Sequence, residues 1–229
     1  LVAAGAVLRS FLSEAGITVG SYTSRIGSVE DHGTYSAAEI FTQSRANPLR
    51  AMSASMEEAM RNEILAAKAD GDSVGGIICC VAEGLPAGLG EPFFDTLDGE
   101  IAKAVFAVPG VKGIEFGAGF AAASLRGSQN NDAYCMKDGA VSTQTNNAGG
   151  ILGGMANGST LFFSVAFKPT PSIAQSQHSV DLQEKTDAEL AVRGRHDPCI
   201  APRGAVVIES VTILTIADLL VRGGFVCRN

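Results

Sequence analysis

The chain has 229 residues, of which 46% are hydrophobic and 18% are charged. It is long and apolar enough for one large or two small globular domains with a sizeable buried core, which argues against a disordered protein. The net charge of -7 argues against a general binder of nucleic acid or of anionic membranes. An anionic ligand would therefore need a local cluster of Arg and Lys.

The apolar patterns predict a series of helices and strands. In chain order they are a helix at 2–15, a strand at 17–29, a helix at 53–70, a strand at 73–82, a helix at 94–107, and strands at 111–116 and 160–167. Ser53 is a candidate N-cap. Gly75 and Gly76 would allow another backbone to come close to their strand.

Three later segments are less regular. Residues 127–150 read as a long polar loop, which in a compact protein is often functional, and residues 175–189 as a polar, exposed segment. The stretch 205–221 favours a strand by propensity but a helix by its length. Since Glu209 and Asp218 interrupt it, we expect it to be too short to span a bilayer.

Cysteine usage and the absence of a recognisable secretory signal bear on the compartment. The five cysteines are an odd number with no repeating spacing, which fits a reducing environment better than a disulfide framework. The adjacent pair Cys79 and Cys80 is interpreted as strand filling. No stretch has the basic start and small-residue cleavage site of a secretory signal. We therefore expect a cytoplasmic protein with no membrane or nucleic-acid partner.

Residues 117–122 (GAGFAA) follow a predicted strand and match an alanine-terminated dinucleotide-binding fingerprint. The fingerprint also needs a full helix, a second parallel strand and an acidic residue about 20 positions on. Asp138 stands at that distance but on no predicted strand. A nicotinamide-dependent oxidoreductase using these residues is thus an alternative function.

Two further segments have the composition of ligand-binding loops. Paired glycines within 146–158 (NNAGGILGGMANG) can offer backbone N–H donors without side-chain bulk, although glycine pairs are also ordinary turn material. The run 168–173 (KPTPSI) presents a cation and two hydroxyls on a loop stiffened by prolines, and such groups bind phosphate. A stiff loop at a strand exit is the simpler interpretation.

The densest charge cluster is 194–199 (GRHDPC). Because Asp197 precedes a proline, the cluster should lie on an extended loop. His196 and Cys199 could be half of a zinc site, but the other cysteines supply no second pair, so we expect no metal. An Asx-Pro turn held by an arginine is the plainer alternative.

Taken together, these segments resemble chorismate synthase. The matching stretches are VAAGAV at 2–7, GDSVGG at 71–76, PAGLGEPFFDTLD at 86–98, VPGVKGIEFGAGF at 108–120, GSQNND at 127–132, NNAGGILGGMANG at 146–158, FKPTPSI at 167–173 and GRHDPC at 194–199. They occur in the family's order and cover nearly the whole chain.

The resemblance implies an α+β fold, a β-α-β sandwich of antiparallel sheets and helices. It also implies conversion of 5-enolpyruvylshikimate-3-phosphate to chorismate and phosphate by an anti 1,4-elimination that needs reduced FMN. Electron density from reduced flavin would ease cleavage of the allylic C–O bond, and fixed cations would hold the departing phosphate. A homotetramer is expected, and whether the protein reduces its own flavin with NADPH stays open.

The resemblance also assigns site residues. The implied catalytic residues are Asp197 as an acid/base near flavin N5, Arg195 as a cation for bound anions, and Thr170. The implied FMN-binding residues are Pro109, Gly110, Gly153, Lys168, Pro169, Thr170, Pro171, Ser172 and Arg195. The family often has alanine at the position of Gly110, a change that a backbone contact should tolerate.

The chain departs from the family pattern at its start. Residues 1–229 would form one domain that lacks the family's N-terminal segment, which holds two catalytic histidines and an Arg-Ser-Ser flavin motif. His32, His178 and His196 do not match those histidines. We therefore expect the isolated chain to bind FMN weakly and to be inactive, and a non-catalytic phosphometabolite-binding fragment is a second alternative. The family assignment further predicts that the loops starting near Asn146, Lys168 and Gly194 form one pocket.

Overall fold

The computed structural model describes residues 1–137, 139–194 and 196–226. Within them the α-helices are α1 Val2–Glu14, α2 Ala37–Gln43, α3 Ala54–Ala69, α4 Leu97–Phe106, α5 Gly127–Asn130 and α6 Ala201–Arg222. The strands are β1 Thr18–Ile26, β2 Val29–Glu30, β3 Gly76–Glu83, β4 Val111–Phe116, β5 Tyr134–Lys137, β6 Ala140–Thr143, β7 Ile151–Leu152, β8 Met155–Ala156, β9 Leu161–Phe167, β10 Gln177–Asp181 and β11 Thr186–Leu190. Short 3-10 helices span Ser44–Ala46 and Gly119–Ser124.

Five strands form the main sheet, in the order β2-β1-β3-β9-β4, and every neighbouring pair is antiparallel. The predicted mixture of helices and antiparallel sheets is therefore confirmed. Strand β9 lies between β3 and β4, and its start and its end lie at opposite ends of the sheet. The remaining strands pair as three small hairpins, β5 with β6, β7 with β8 and β10 with β11.

Alternation along β9 fixes which face of the sheet packs on the helices. Leu161, Phe163, Val165 and Phe167 are buried, whereas the residues between them are half-buried, as expected for a strand with a two-residue repeat. The buried set belongs to the main core together with residues of α1, α4 and α6. The opposite face of the sheet is covered in part by α2, through Ile40.

Helices α1 and α6 approach each other unusually closely at Gly5. A Cβ atom at this position would lie 2.6 Å from the Cβ of Ser210, so a larger residue would force the two helices apart. Helix α1 ends at Glu14, and the predicted terminator Gly16 follows two residues later with a φ of 76°, which favours glycine.

The ambiguous C-terminal element is a 22-residue helix, α6. Its β-branched residues favour a strand locally, but burial against β1, β3, α1 and α4 overrides that preference. We expected this element to be too short to span a bilayer, but α6 is long enough and apolar enough to do so. Because 67% of its most apolar 18-residue stretch is buried inside the fold, α6 is a core helix of the domain.

The polar segments contain more regular structure than their sequences predict. Residues 127–150 include α5 and the β5–β6 hairpin, and the exposed segment 175–189 lies mostly in the β10–β11 hairpin. Neither segment has an apolar face that would mark a strand by alternation. By contrast, Ser53 is the N-cap of α3, since its Oγ accepts a hydrogen bond from Met56 N at 3.2 Å.

The other local predictions in β3 are also confirmed. Cys79 and Cys80 are buried, and burial raises the pKa of the Cys79 thiol. A Cβ on Gly75 would lie 2.5 Å from Phe167 O, and one on Gly76 would lie 2.5 Å from Arg25 O. Glycine at these two positions therefore lets the neighbouring backbones come close.

One carboxylate lies in the core. Glu209 on α6 is 1% exposed, and its Oε2 accepts hydrogen bonds from Ser21 N at 3.1 Å and Ser21 Oγ at 3.0 Å. Arg45 donates to Oε1 at 2.8 Å, Arg50 lies 3.5 Å from Oε2, and Arg9 also pairs with this group. Glu209 thus joins α6 to α1, to β1 and to the segment that follows α2.

Candidate functional site

Four segments meet at the end of the sheet where β9 ends and β4 begins. Lys168 N donates to Gly110 O at 2.9 Å, which joins the strand-exit loop to the loop before β4. Ser73 Oγ donates to Thr170 O at 2.7 Å. Val74 N donates to Pro198 O at 2.8 Å, so the segment before β3 holds the Lys168 loop and the Gly194 loop together.

A cavity of about 730 Å³ opens beside these loops. Ser172 lines it from the Lys168 loop, while Gly194, His196 and Asp197 line it from the Gly194 loop. Lys68 of α3 and Arg203 of α6 also line it. This volume is typical of pockets for small molecules and cofactors, which are roughly 300–1,000 Å³.

Asp197 is held on both sides. Its Oδ1 accepts a hydrogen bond from Cys199 N at 3.3 Å, which forms the predicted Asx turn, and its Oδ2 pairs with Arg203. The described residues of this segment form an irregular loop, as its proline predicts.

Cys199 lies at the base of this loop and is 5% exposed. Burial raises the pKa of its thiol to about 11. A zinc site built on His196 and Cys199 would need further ligands, and among the described residues no group of three or more His, Cys, Asp or Glu side chains lies close enough together to hold a metal ion.

Two polar atoms at the site are buried and lack hydrogen-bond partners among the described residues. They are Thr170 Oγ1 and His196 Nε2. An unpaired buried polar atom costs about 1–3 kcal/mol, so each marks a place where a ligand, a water or another residue would be favourable.

The resemblance-based site residues are distributed as follows. The end of the sheet described above carries Pro109, Gly110 and the run Lys168–Ser172. Lys168 is exposed there. Gly110 has a φ of 93°, a conformation that strains alanine. Arg195, which we expected to be both catalytic and cofactor-binding, lies outside the described residues.

Within one chain, Gly153 lies at the opposite end of the sheet from Lys168. It lies in the turn between β7 and β8, and Gly154 O of the same turn accepts a hydrogen bond from Leu97 N at 2.8 Å. Asn157 N donates to Gly150 O, next to the start of β9. The expected single pocket from three loops therefore needs correction. Within this chain two of the loops meet, and the 146–158 loop lies at the other end of β9.

The 146–158 loop is shaped by Asp132. Its carboxylate accepts hydrogen bonds from Thr145 Oγ1 and Asn147 N, both at 2.7 Å, and from Ala148 N at 2.8 Å. Partial burial alone would raise the pKa of Asp132, but these hydrogen bonds outweigh it, and the pKa is lowered. The ionised carboxylate therefore holds the glycine-rich loop in place.

The nicotinamide-binding alternative does not fit the fold. A dinucleotide fingerprint lies between two parallel strands joined by a helix. Residues 117–122 instead follow the edge strand β4, which is antiparallel to its neighbour, and they enter the 3-10 helix Gly119–Ser124. Asp138, the acidic residue of that alternative, lies outside the described residues.

Sequence reasoning overlooked several residues that line or shape the cavity. They are Lys68, Ser73, His196 as a lining residue, and Arg203. Ser73 lies within the GDSVGG stretch that carries the resemblance. Arg203, six positions after Asp197, had no signal of its own, because a charge in a first helical turn is most simply solvent-exposed.

An antiparallel sheet packed on helices, with a cavity lined by cations and carboxylates at one end, defines an α+β protein with a pocket of small-molecule size. The family model described as chorismate synthase matches residues 1–221. The chain belongs to the chorismate synthase family.

Individual relatives agree with this assignment. The chain is 46% identical to a chorismate synthase of Dehalococcoides mccartyi, over 99% of this chain and 62% of the relative. It is 44% identical to one of Methanosarcina mazei, over 98% of this chain and 61% of the relative. A crystal structure of a chorismate synthase superposes with a TM-score of 0.80 and 29% identity, covering 96% of this chain and 62% of that one.

The chain thus spans about 62% of the length of the curated relatives it matches. The relatives are longer, but the family model matches residues 1–221. This match gives no support to the expectation that the isolated chain is inactive.

Proposed function

We propose that this protein converts 5-enolpyruvylshikimate-3-phosphate to chorismate and phosphate by an anti 1,4-elimination in the presence of reduced FMN. One observation carries the proposal. The Lys168–Ser172 and Gly194–Cys199 loops, far apart in sequence, are joined through Ser73 and Val74 and border one cavity of about 730 Å³.

The residues at this edge fit a flavin phosphate and a polar ring system. Lys168 supplies a cation, and Ser172 supplies a hydroxyl on a loop stiffened by two prolines. Thr170 Oγ1 and His196 Nε2, which have no hydrogen-bond partner within the described part of the chain, are further polar groups that a ligand could contact. Pro109 and Gly110 would contribute backbone contacts, with Arg195 as a further FMN-binding residue, whereas Gly153 lies at the other end of β9 and is not part of this site within one chain.

Reduced FMN, when bound, would supply electron density to the breaking allylic C–O bond. The chain itself would supply the charges around it. Lys68 and Arg203 line the cavity together with Asp72 and Asp197, and the two cations would contact the phosphate and carboxylate groups of the substrate. Arg195 would add a third cation. Fixed cations stabilise the negative charge that develops on the leaving phosphate.

Asp197 would handle the proton. Because Cys199 N–H and Arg203 both hold its carboxylate, its position is fixed. An ionised carboxylate in this position accepts a proton as a base and can return it as an acid. Thr170, two residues beyond Lys168, would complete the catalytic set.

Broader attributes follow from the same assignment. We infer that residues 1–229 act as one domain, that the protein works in the cytoplasm on a small-molecule substrate, and that it assembles as a homotetramer. The alternative of a non-catalytic phosphometabolite-binding fragment predicts ligand binding without product formation.

Lys168→Gln tests the cofactor assignment. Removing one cation from a phosphate contact costs about 1.5–3 kcal/mol, so the Kd for FMN is expected to rise roughly 10- to 100-fold. Quenching of FMN fluorescence on titration with protein measures this Kd. Lys137→Gln on the exposed β5 strand is the matched control and should leave the Kd unchanged. If the Lys168 variant and the wild type bind FMN with equal affinity, the Lys168 loop is not part of the flavin site.

A further inference from the structure

A second groove, of about 270 Å³, lies between α1, the start of β1, α2 and α6. It is remote from the candidate site. Thr18, at the start of β1, pairs with Glu83, whereas Ile26, at the other end of β1, pairs with Gly76 beside the Lys168 loop. A nine-residue strand is about 30 Å long, so the groove and the cavity lie at opposite ends of the sheet.

The floor of the groove is apolar. Leu12, Ile17, Val19 and Ile213 line it, and each is at most 3% exposed. The ring of Phe41 forms part of the wall. Such a surface favours the apolar body of a ligand, since burying carbon atoms there removes them from water.

One wall of the groove is cationic. Arg9 is the charged residue among the described lining residues, and its guanidinium lies 4.9 Å from the centre of the Phe41 ring. Arg45 lies over the same ring at 3.9 Å. A ligand beside Phe41 would therefore be close to two guanidinium groups.

Arg9 donates to Val19 O at 3.0 Å and pairs with Glu209, but the arginine cluster as a whole is not neutralised. Arg9, Arg45 and Arg50 gather around the single carboxylate of Glu209, which leaves two positive charges in excess in the cluster. Arg45 remains 38% exposed, and Glu209 Oε1 is its acceptor within the described chain. Excess positive charge next to an apolar groove selects an anion with an apolar body.

We propose that this groove binds a small organic acid that has a ring or branched alkyl body and a carboxylate directed at Arg9. Hydroxyl groups of Ser13 and Thr18 border the groove and can donate to the same carboxylate, whereas the Thr42 hydroxyl already donates to Ala38 O at 3.0 Å. The site is separate from the cavity of the proposed function and does not depend on it.

Saturation-transfer NMR of the full chain tests the proposal with three probes. Benzoate has both the ring and the charge, benzamide has the ring alone, and acetate has the charge alone. Benzoate is expected to bind with a Kd of about 1–10 mM, as a ligand of nine heavy atoms allows. Benzamide and acetate should each bind at least about fivefold more weakly.

Two variants locate the binding. Arg9→Gln removes the cation and should weaken benzoate about fivefold or more. Ala38→Leu adds bulk to a lining residue without touching the arginines, and it should reduce benzoate binding while the protein stays folded. Arg61→Gln, on the exposed face of α3, is the matched control. Equal binding of benzoate and benzamide, an unaffected Ala38→Leu variant, or no benzoate binding below 10 mM would each overturn the proposal.

Discussion

Asp197→Asn is expected to lower the rate of phosphate release from 5-enolpyruvylshikimate-3-phosphate by roughly 100- to 10,000-fold, the usual contribution of a general acid or base. Asparagine has nearly the same shape and can still accept the hydrogen bond from Cys199 N. It loses the charge that pairs with Arg203 and cannot exchange a proton. Inorganic phosphate, measured under anaerobic conditions with reduced FMN, gives the rate.

FMN affinity and a surface control complete this experiment. Asp187→Asn, on the exposed strand β11, should release phosphate at the wild-type rate. The Kd for FMN should change only a few-fold in Asp197→Asn, because the loss concerns proton transfer and not cofactor binding. Wild-type turnover by Asp197→Asn would exclude Asp197 as the acid or base.

Glu209→Gln is expected to lower the free energy of unfolding by about 2–4 kcal/mol. The substitution preserves size and one acceptor for Ser21, but it leaves Arg9, Arg45 and Arg50 with no carboxylate among them. Removing one partner of a buried ion pair is costly because the remaining charges stay partly desolvated. For a chain of this length the melting temperature should fall by about 4–16 °C.

Urea denaturation and thermal unfolding followed by circular dichroism measure this effect. Glu57→Gln, whose partner Arg61 lies on the surface of α3, is the control and should cost less than about 1 kcal/mol. If Glu209→Gln unfolds at the same urea concentration as the control, the arginine cluster does not depend on its carboxylate for stability.

The elements that could be predicted from the sequence are those whose apolar residues lie on one face of the helix or strand. The alternation in β9 and the spacing in α3 place apolar residues on one face, and Ser53 marks where α3 begins. Strand β4 coincides with its predicted range because a glycine turn precedes it and another follows it. In these segments local propensity and tertiary packing favour the same structure.

The remaining elements depend on contacts that are distant in sequence. Helix α6 is rich in β-branched residues and becomes helical because it is packed on most sides. The hairpins within 127–150 and 175–189 have no buried face that would reveal their alternation. The pairing of Glu209 with Arg9 joins residues 200 positions apart, and no local pattern predicts it.

The candidate site was predictable as a set of loops but not as an arrangement. Resemblance to the family identified Lys168, Asp197 and Gly153, yet it carried no distances. A seven-residue strand spans about 20 Å, and β9 separates the loop of Gly153 from that of Lys168. The pairing of Asp197 with Arg203 required the start of α6 to be placed against the loop.

A crystal structure of the protein with bound FMN tests the central claim most directly. Flavin is expected in the cavity at the end of β9, in contact with both the Lys168–Ser172 loop and the Gly194–Asp197 loop. Flavin bound against residues 117–122, in the groove beside Arg9, or on only one of the two loops would contradict it.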